Sequence, residues 1–230
     1  MSEYRKLEEQ IRLVRDALAS YPGVRLLAAT KTVPPETINY AIRQCGIDLI
    51  GENRVQELLE KYDALEKDGV EIHFIGSLQK NKVKYIADKV SMIHSLDSLP
   101  LALEIERRCA AIDKVMDVLI EINIAAEQTK GGIAPEELEG FYEQIRDLSH
   151  LRVRGLMTMA PAGAGEDGWR RYFTEARALF DRFCARHLPG EQGILSMGMS
   201  DSYKIALESG SNLVRLGSII FGARNYAQNY

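Results

Sequence analysis

The stretch RLLAATKTVPP, residues 25–35, sets the pattern on which the fold prediction rests. An apolar run, LLAA, has the composition of a short buried strand, and the polar segment Thr30-Lys31-Thr32 follows it directly. Two prolines then force the chain to turn before a stretch of helical periodicity begins. A strand that ends in polar side chains and turns into a helix is the repeating unit of parallel α/β folds.

The same unit recurs along the whole chain of 230 residues. Apolar, β-branched runs alternate with stretches of helical period, which include 53–67, 135–148 and 169–187, and this alternation indicates βαβ units. The strand candidates are 25–30, 48–52, 71–76, 91–96, 117–124, 152–159, 193–199 and 213–222. Eight such units predict an α/β fold, a single closed (β/α)₈ TIM-type barrel over 1–230 with an extra N-terminal helix. An open, doubly wound sheet is the alternative. Only eight residues follow the last strand candidate, so we expect no second domain.

Composition and charge narrow the class of protein. The net charge is −4, with 29 basic and 33 acidic residues that are well mixed, so no basic stripe for nucleic acid is visible. No apolar run reaches the length of a membrane span, and the charged N-terminus is not a secretory signal. Three widely spaced cysteines predict no metal cluster and suggest a reducing compartment. We expect a cytoplasmic protein, a monomer, with no metal, nucleic acid or membrane partner.

One glycine-rich segment matches a nucleotide-binding pattern by letter only. Residues 163–168 read GAGEDG, but Glu166 and Asp167 would place two negative charges where a pyrophosphate should bind. The segment also follows the sixth strand candidate rather than the first. We therefore expect a solvated, mobile loop here.

Lys31 is the first candidate for chemistry, because it ends the first strand. In a barrel of this type, functional side chains lie at the carboxyl ends of the strands. An amine that is partly desolvated by an apolar strand has a lowered pKa and can attack an aldehyde. The alternative is an ordinary solvated lysine at a strand end.

A phosphate site is the second candidate, and it lies near the end of the chain. Such sites are commonly built from the loops after strands seven and eight of these barrels. Gly198 and Gly217 let the backbone approach a ligand closely, while Ser200 and Ser218 offer hydroxyl donors. The alternative is that the glycines serve packing and that Ser200 is only a helix N-cap.

Three other polar residues lie in or directly after predicted strands. Arg215 shares a strand face with Gly217, so it either reaches a ligand in the barrel mouth or forms an ion pair with a core carboxylate such as Glu52 or Glu121. Asn53 either hydrogen-bonds at the mouth or caps a helix. His73 is expected to be a satisfied core histidine.

The remaining wall candidates are small or flexible. Ser77 follows Gly76 and is expected to line the site. The strand-end methionines predict a flexible apolar wall that could bed a flat aromatic ring; they are Met157, Met159, Met197 and Met199.

Six blocks of sequence, in order, resemble a known family. They are ATKTV (29–33), GENRVQE (51–57), HFIGSLQKNK (73–82), GLMTMA (155–160), SMGMSD (196–201) and VRLGSIIFGAR (214–224). Together they resemble the pyridoxal phosphate homeostasis proteins, the YggS/PROSC family, which is related to the N-terminal barrel of alanine racemase. The resemblance runs from about residue 25 to 226.

The resemblance implies pyridoxal 5′-phosphate as cofactor and a set of roles. It implies a Schiff base at Lys31, phosphate contacts from Ser200, Gly217 and Ser218, an Arg215 that faces the pyridine nitrogen, and an Asn53 beside the ring; Met157, Met197 and Ser77 complete the expected cofactor-binding set. Ser202 stands where a second acid is expected, and Ser218 where Thr is frequent.

An arginine at the ring nitrogen has a consequence for function. Because it does not give up its proton, it leaves that nitrogen unprotonated and the ring a weak electron sink. A racemase also needs a second base, which alanine racemase takes from an additional domain. The prediction is a protein of pyridoxal phosphate homeostasis that stores the cofactor or delivers it to apo-enzymes, with no catalytic residue. The alternative is a one-domain, cofactor-dependent amino-acid racemase that uses Lys31 with His73 or Tyr203.

Overall fold

A computed structural model describes residues 3–125, 131–161 and 163–222 of the chain. Its eight strands are β1 Arg25–Ala29, β2 Leu49–Glu52, β3 Glu71–Phe74, β4 Met92–Leu96, β5 Met116–Ile122, β6 Leu151–Thr158, β7 Ile194–Ser196 and β8 Leu213–Leu216. All pairs are parallel, and β8 pairs with β1 to close the barrel. The predicted (β/α)₈ barrel is confirmed, and the open sheet is wrong.

Helices surround the barrel in the described part of the chain. They are α1 Glu3–Leu18, α2 Pro35–Cys45, α3 Val55–Tyr62, α4 Val83–Ile86, α5 Leu99–Ala110, α6 Leu138–Ile145, α7 Gly165–His187, α8 Tyr203–Glu208 and α9 Ser218–Phe221, with short 3₁₀ turns at Lys80–Lys82 and Pro135–Glu137. The predicted N-terminal helix is confirmed as α1. None of these helices is long and apolar enough to cross a bilayer.

Strand alternation divides the apolar residues between two layers. Residues that point into the barrel, such as Leu27, Leu49 and Leu213, form a cluster of their own. Their neighbours Ala28 and Ile50 point outwards and belong to the large core between sheet and helices. Residues that extend the inward faces beyond the strand ends are therefore the ones that reach the mouth of the barrel.

The last two strands are shorter than the sequence predicts. The strand expected over 193–199 ends at Ser196, and Gly198 then adopts a φ of +93°, which takes the chain out of the sheet. The strand expected over 213–222 ends at Leu216, because Gly217 turns the backbone into α9. Both differences place loop residues at the mouth, Met199 and Ser200 after β7 and Gly217 and Ser218 after β8.

The glycine-rich segment 163–168 is not the loop that the sequence predicts. Helix α7 already begins at Gly165, with Glu166 and Asp167 in its first turn. Acidic residues are favourable there, because the N-terminal end of a helix carries partial positive charge.

Candidate functional site

A cavity of about 670 Å³ opens at the carboxyl ends of the strands. Its wall includes six of the residues proposed from sequence, namely Lys31, Asn53, Ser200, Arg215, Gly217 and Ser218. These residues come from β1, β2, β7 and β8 or from the turns that follow them. The closed barrel therefore brings together groups that lie almost 190 positions apart in the sequence.

The segment that carries Lys31 is held from its outer side. The Thr30 hydroxyl donates to Oε1 of Glu52 over 2.6 Å, and the buried Lys61 ammonium donates to that same oxygen and to the Thr30 carbonyl, each over 2.8 Å. The backbone N–H of Thr32 donates to Oε2 of Glu57 over 2.9 Å. These bonds hold both neighbours of Lys31, whose half-buried side chain borders the cavity.

The backbone conformation of this segment also shows that its contacts constrain it. Thr32 has a φ of +62°, in the left-handed region that residues with a Cβ rarely adopt. A β-branched residue in that region carries strain of order 1–3 kcal/mol, which the surrounding contacts must offset.

Arg215 borders the cavity and is hydrogen-bonded to two neutral groups, while Glu52 pairs with another residue. Its Nη1 donates to Oγ of Ser196 over 2.6 Å, and its Nη2 donates to the Thr158 carbonyl over 3.1 Å. Glu52 lies on the opposite face of the sheet, where it pairs with Lys61. Burial lowers the pKa of Arg215 to about 10, so its guanidinium remains charged at neutral pH.

Glu121 is the carboxyl group that acts on Arg215 electrostatically. It lies at the end of β5 and is 5% exposed. Burial raises the pKa of Glu121 to about 7, and the neighbouring Asp97 raises it further, while Arg215 opposes the shift. A carboxyl group in this state is partly protonated at neutral pH.

Ser200 joins the loop after β7 to the turn after β8. Its hydroxyl oxygen accepts from the backbone N–H groups of Gly217 and Ile219, each over 3.3 Å. The N-cap of α8 is Ser202, so Ser200 does not cap that helix; its hydroxyl oxygen instead meets the first N–H groups of α9. A Cβ on Gly217 would lie 3.2 Å from the Ala29 carbonyl oxygen, so a side chain there would crowd the end of β1. Hydroxyl and backbone donors thus converge on one side of the cavity.

Asn53 also lines the cavity rather than capping a helix. The residue that caps α3 is Arg54. The side-chain oxygen of Asn53 is buried and accepts no hydrogen bond from the described residues. A buried acceptor without a donor is costly, and the position of Asn53 in the wall allows a ligand to supply that donor.

Three of the predicted wall residues are not on the cavity. Met157 points into the barrel one layer deeper, against Met92 and Leu119. Met197 points outwards into the core beneath the helices, and Ser77 is exposed on the surface. Their wall positions are taken by Met159 and Met199, the other two strand-end methionines, together with Ile75. Depth along the strand separates Met157 from Met159, which share an inward face, and the turn at Gly198 after the end of β7 separates Met197 from Met199.

Tyr4 is a wall residue that the sequence does not reveal. It comes from the first turn of α1 and stacks on Tyr40 of α2 with ring centroids 4.0 Å apart. The spacing of apolar residues in α1 predicts only a buried face, and nothing in it indicates which part of the barrel the helix covers. Acidic Asp201 also borders the cavity, although it is itself exposed.

His73 is the satisfied core histidine that the sequence predicts. It is fully buried on β3 and has hydrogen-bond partners at both ring nitrogens, His94 and Glu71. It does not line the cavity.

Comparison with known proteins places this geometry in a family. The family model described as alanine racemase, N-terminal domain, matches residues 3–225. A curated relative from Aquifex aeolicus, named pyridoxal phosphate homeostasis protein, is 46% identical over 205 residues, which cover 88% of each chain. A relative of the same name from Escherichia coli is 37% identical and covers 89% of this chain and 88% of its own.

A solved structure shares both the barrel and its extent. The structure of PipY from Synechococcus elongatus, described with PLP bound, superposes with a TM-score of 0.85 at 29% identity and covers 94% of this chain and all of its own.

Proposed function

Because the chain belongs to the family of pyridoxal phosphate homeostasis proteins, whose barrel is that of the alanine racemase N-terminal domain, we propose that it binds pyridoxal 5′-phosphate through Lys31 and holds it for storage or delivery. The observation that carries the proposal is the cavity wall. It combines an amine, a buried guanidinium and a converging set of hydroxyl and backbone donors.

The residues of the wall match the three chemical groups of this cofactor. Lys31 supplies the amine for the aldehyde. Ser200, Gly217 and Ser218 supply hydroxyl and N–H donors for the phosphate. The two 3.3 Å bonds that Ser200 accepts, from the N–H groups of Gly217 and Ile219, are long enough to give way to a stronger acceptor. Arg215 supplies N–H groups for the ring nitrogen, and Asn53, in the same wall, has a buried oxygen that accepts from no described residue.

When bound, the cofactor supplies an aldehyde carbon that bonds covalently to an amine and a pyridine ring that can withdraw electrons from that bond. Arg215 limits this withdrawal, because it is a donor that keeps its own protons and cannot stabilise a protonated ring nitrogen. The site is therefore suited to hold the cofactor without driving amino-acid chemistry strongly.

The racemase alternative lacks a well-placed second base among the residues that the sequence offers for it. His73 lies in the barrel interior below the cavity, and Tyr203 is 6% exposed in the core around α8. Neither lines the cavity. The test of this alternative is incubation of the loaded protein with single-enantiomer amino acids in D₂O. We expect little α-deuteration; rapid exchange that is lost in Lys31→Ala would establish an enzyme instead.

The test of the main proposal is covalent trapping. The protein is loaded with pyridoxal 5′-phosphate, its visible absorbance is recorded, and the adduct is reduced with borohydride and mapped by peptide mass spectrometry. We expect one reduced adduct, on Lys31, which is absent from Lys31→Ala and retained in the matched control Lys204→Ala, a change at an exposed lysine of α8. An adduct on another lysine, or none, would overturn the proposal.

Delivery implies a recipient. We propose apo-enzymes that depend on this cofactor as the partners, and a cytoplasmic monomer as the form that serves them. Mixing the loaded protein with an inactive apo-enzyme, in the presence of a scavenger for free cofactor, should restore activity faster than cofactor alone does. Equal rates would indicate storage without directed delivery.

A further inference from the structure

A chain of buried hydrogen bonds runs from Arg215 through the barrel interior. Oγ of Ser196 accepts from Arg215 over 2.6 Å and lies 3.1 Å from Nδ1 of His94. Nε2 of His94 lies 2.9 Å from Nδ1 of His73, and Nε2 of His73 lies 3.2 Å from Oε2 of Glu71. We call these five residues the interior chain.

The ends of the interior chain lie at opposite ends of the barrel. Arg215 borders the cavity at the carboxyl ends of the strands. Glu71 is the first residue of β3, at the other end, and it is exposed and held by Arg25 over 2.7 Å and 3.3 Å. The three residues between them are buried, at 0% exposure.

The groups at the two ends of this chain together set the direction of its bonds. Arginine has no acceptor, so Ser196 accepts from it; in one of the two possible directions the serine hydrogen is then donated to Nδ1 of His94. A neutral histidine has one N–H, so that of His94 lies at Nε2 and donates to Nδ1 of His73. The N–H of His73 then also lies at Nε2 and donates to the carboxylate.

The reverse direction leaves a conflict at the far end. If both histidines carried the proton at Nδ1, the bare Nε2 of His73 would face the Glu71 carboxylate, two acceptors 3.2 Å apart. Burial lowers the pKa of His94 well below its ordinary value, and the neighbouring His73 and Arg215 lower it further. Burial also lowers the pKa of His73, although Glu71 opposes that shift, so the doubly protonated form is disfavoured for both rings. Glu71 is ionised, because its bond with His73 and those with Arg25 lower its pKa to about 2.

We propose that Ser196, His94 and His73 are positioning residues, which hold Arg215 in one orientation toward the cofactor through a hydrogen-bond chain whose direction is set by Glu71. The role at the cofactor rests on the proposed function, whereas the direction of the chain does not. Together with the bond from Nη2 to the Thr158 carbonyl, the chain fixes two corners of the guanidinium plane. A fixed plane keeps the remaining N–H groups aimed into the cavity.

A chain of this kind has an energetic reason to be kept whole. Barrel interiors of this type are normally filled by apolar side chains. Polar groups buried there are tolerated when each donor meets an acceptor, and they are costly when one link is removed. Loss of Ser196 leaves the buried Arg215 one acceptor short, and we expect the guanidinium to reorient.

The first experiment measures the direction of the chain in the cofactor-free, full-length protein. Long-range ¹H–¹⁵N NMR of the histidine rings reports which ring nitrogen carries the proton. The whole protein has only four histidines to assign. We expect the Nε2–H form for both His73 and His94 at pH 7. An Nδ1–H form or a charged ring at either residue would overturn the proposal.

A change at the far end of the barrel extends this test. Glu71→Gln introduces an amide that can donate to Nε2 of His73, so the reverse direction becomes possible. We expect a mixture of ring forms at His73 and His94 in this variant. The matched control is Glu66→Gln, which also removes a surface carboxylate from an arginine pair and should leave both rings unchanged. Unchanged rings in Glu71→Gln would show that Glu71 does not set the direction.

The second experiment measures the consequence for the cofactor. We expect Ser196→Ala to weaken binding of pyridoxal 5′-phosphate about tenfold, which is about 1.4 kcal/mol, and to shift the visible absorbance band, whereas Ser196→Thr restores both. The matched control is Ser95→Ala, at a buried serine whose hydroxyl has no partner among the described residues. Thermal unfolding of each variant establishes that it is folded. Equal affinity and spectra for Ser196→Ala and wild type would overturn the positioning role, while a missing Lys31 adduct in wild type would overturn the proposed function alone.

Discussion

Replacing Lys61 by methionine should destabilise the protein strongly, although Lys61 does not line the cavity. Its ammonium bonds Oε1 of Glu52 and the Thr30 carbonyl, each over 2.8 Å. The Lys61 side chain is 10% exposed and the Glu52 side chain 0%. Lys61→Met keeps most of the apolar stem but leaves a buried carboxylate whose remaining described donor is the Thr30 hydroxyl.

The magnitude follows from the burial of that carboxylate. Removal of one partner from a buried ion pair costs about 3–5 kcal/mol. For a protein of this size, each kcal/mol lowers the melting temperature by about 2–4 °C, so Lys61→Met should lower it by roughly 6–20 °C. Glu52→Gln in the same background removes the stranded charge and should recover a large part of the loss.

Calorimetry of the four proteins in this cycle, all without cofactor, tests the reasoning. Lys204→Met is the matched control, since Lys204 is exposed on α8 and its loss should change the free energy of unfolding by no more than about 0.5 kcal/mol. The reasoning is refuted if Lys61→Met melts within 2 °C of wild type, or if the two single losses simply add in the double variant.

Three further predictions concern the barrel itself. The pKa of Glu121 is about 7 in the folded protein and ordinarily about 4.3, so its contribution to stability is fully present below pH 4 and is lost as the pH rises through 7. Urea titrations should therefore show that the free energy of unfolding of Glu121→Gln, relative to that of wild type, rises by up to about 3 kcal/mol between pH 4 and pH 8. Gly155→Ala should cost at least about 2 kcal/mol, because φ is +145° and a Cβ would lie 2.1 Å from a carbonyl oxygen of β7, whereas Gly140→Ala on the exposed face of α6 should be neutral or stabilising. Met157→Ala should lower the free energy of unfolding by about 2–5 kcal/mol through the void it leaves, with little change in cofactor affinity. Met159→Ala should weaken cofactor binding with a smaller loss of stability. The reverse pattern would contradict the placement of these side chains.

The fold could be predicted from the sequence because the patterns that mark its strands, turns and helices are local. Each buried strand reads as a short apolar run, and the turns between strands and helices are marked by residues such as Pro34 and Gly46, which ends α2 with a φ of +63°. The ends of β7 and β8 were not accessible in the same way. There Gly198 and Gly217 take the chain out of the sheet within residues that still read as strand.

The functional site, like the fold, has residues that could be predicted from local sequence and residues that could not. Lys31 and Arg215 were accessible because the end of a strand and the parity of its residues place them at the mouth. Met157 and Met197 were assigned to the wall because their blocks of sequence reach the strand ends, whereas the depth of Met157 in the barrel and the turn at Gly198 after Met197 are not visible in those blocks. Tyr4 depends on where a helix docks, which no local pattern encodes.

Segments from the two ends of the described chain together form one wall of the cavity. Tyr4 of α1 and Phe221 of α9 both border it, and a groove of about 420 Å³ between these helices, lined by Leu7 and Ile219, continues from it. Contacts over so long a stretch of sequence are expensive to form and tend to come late in folding. Lys31 is therefore synthesised long before the segment that completes its side of the cavity, and the cavity exists only in a barrel that has already closed.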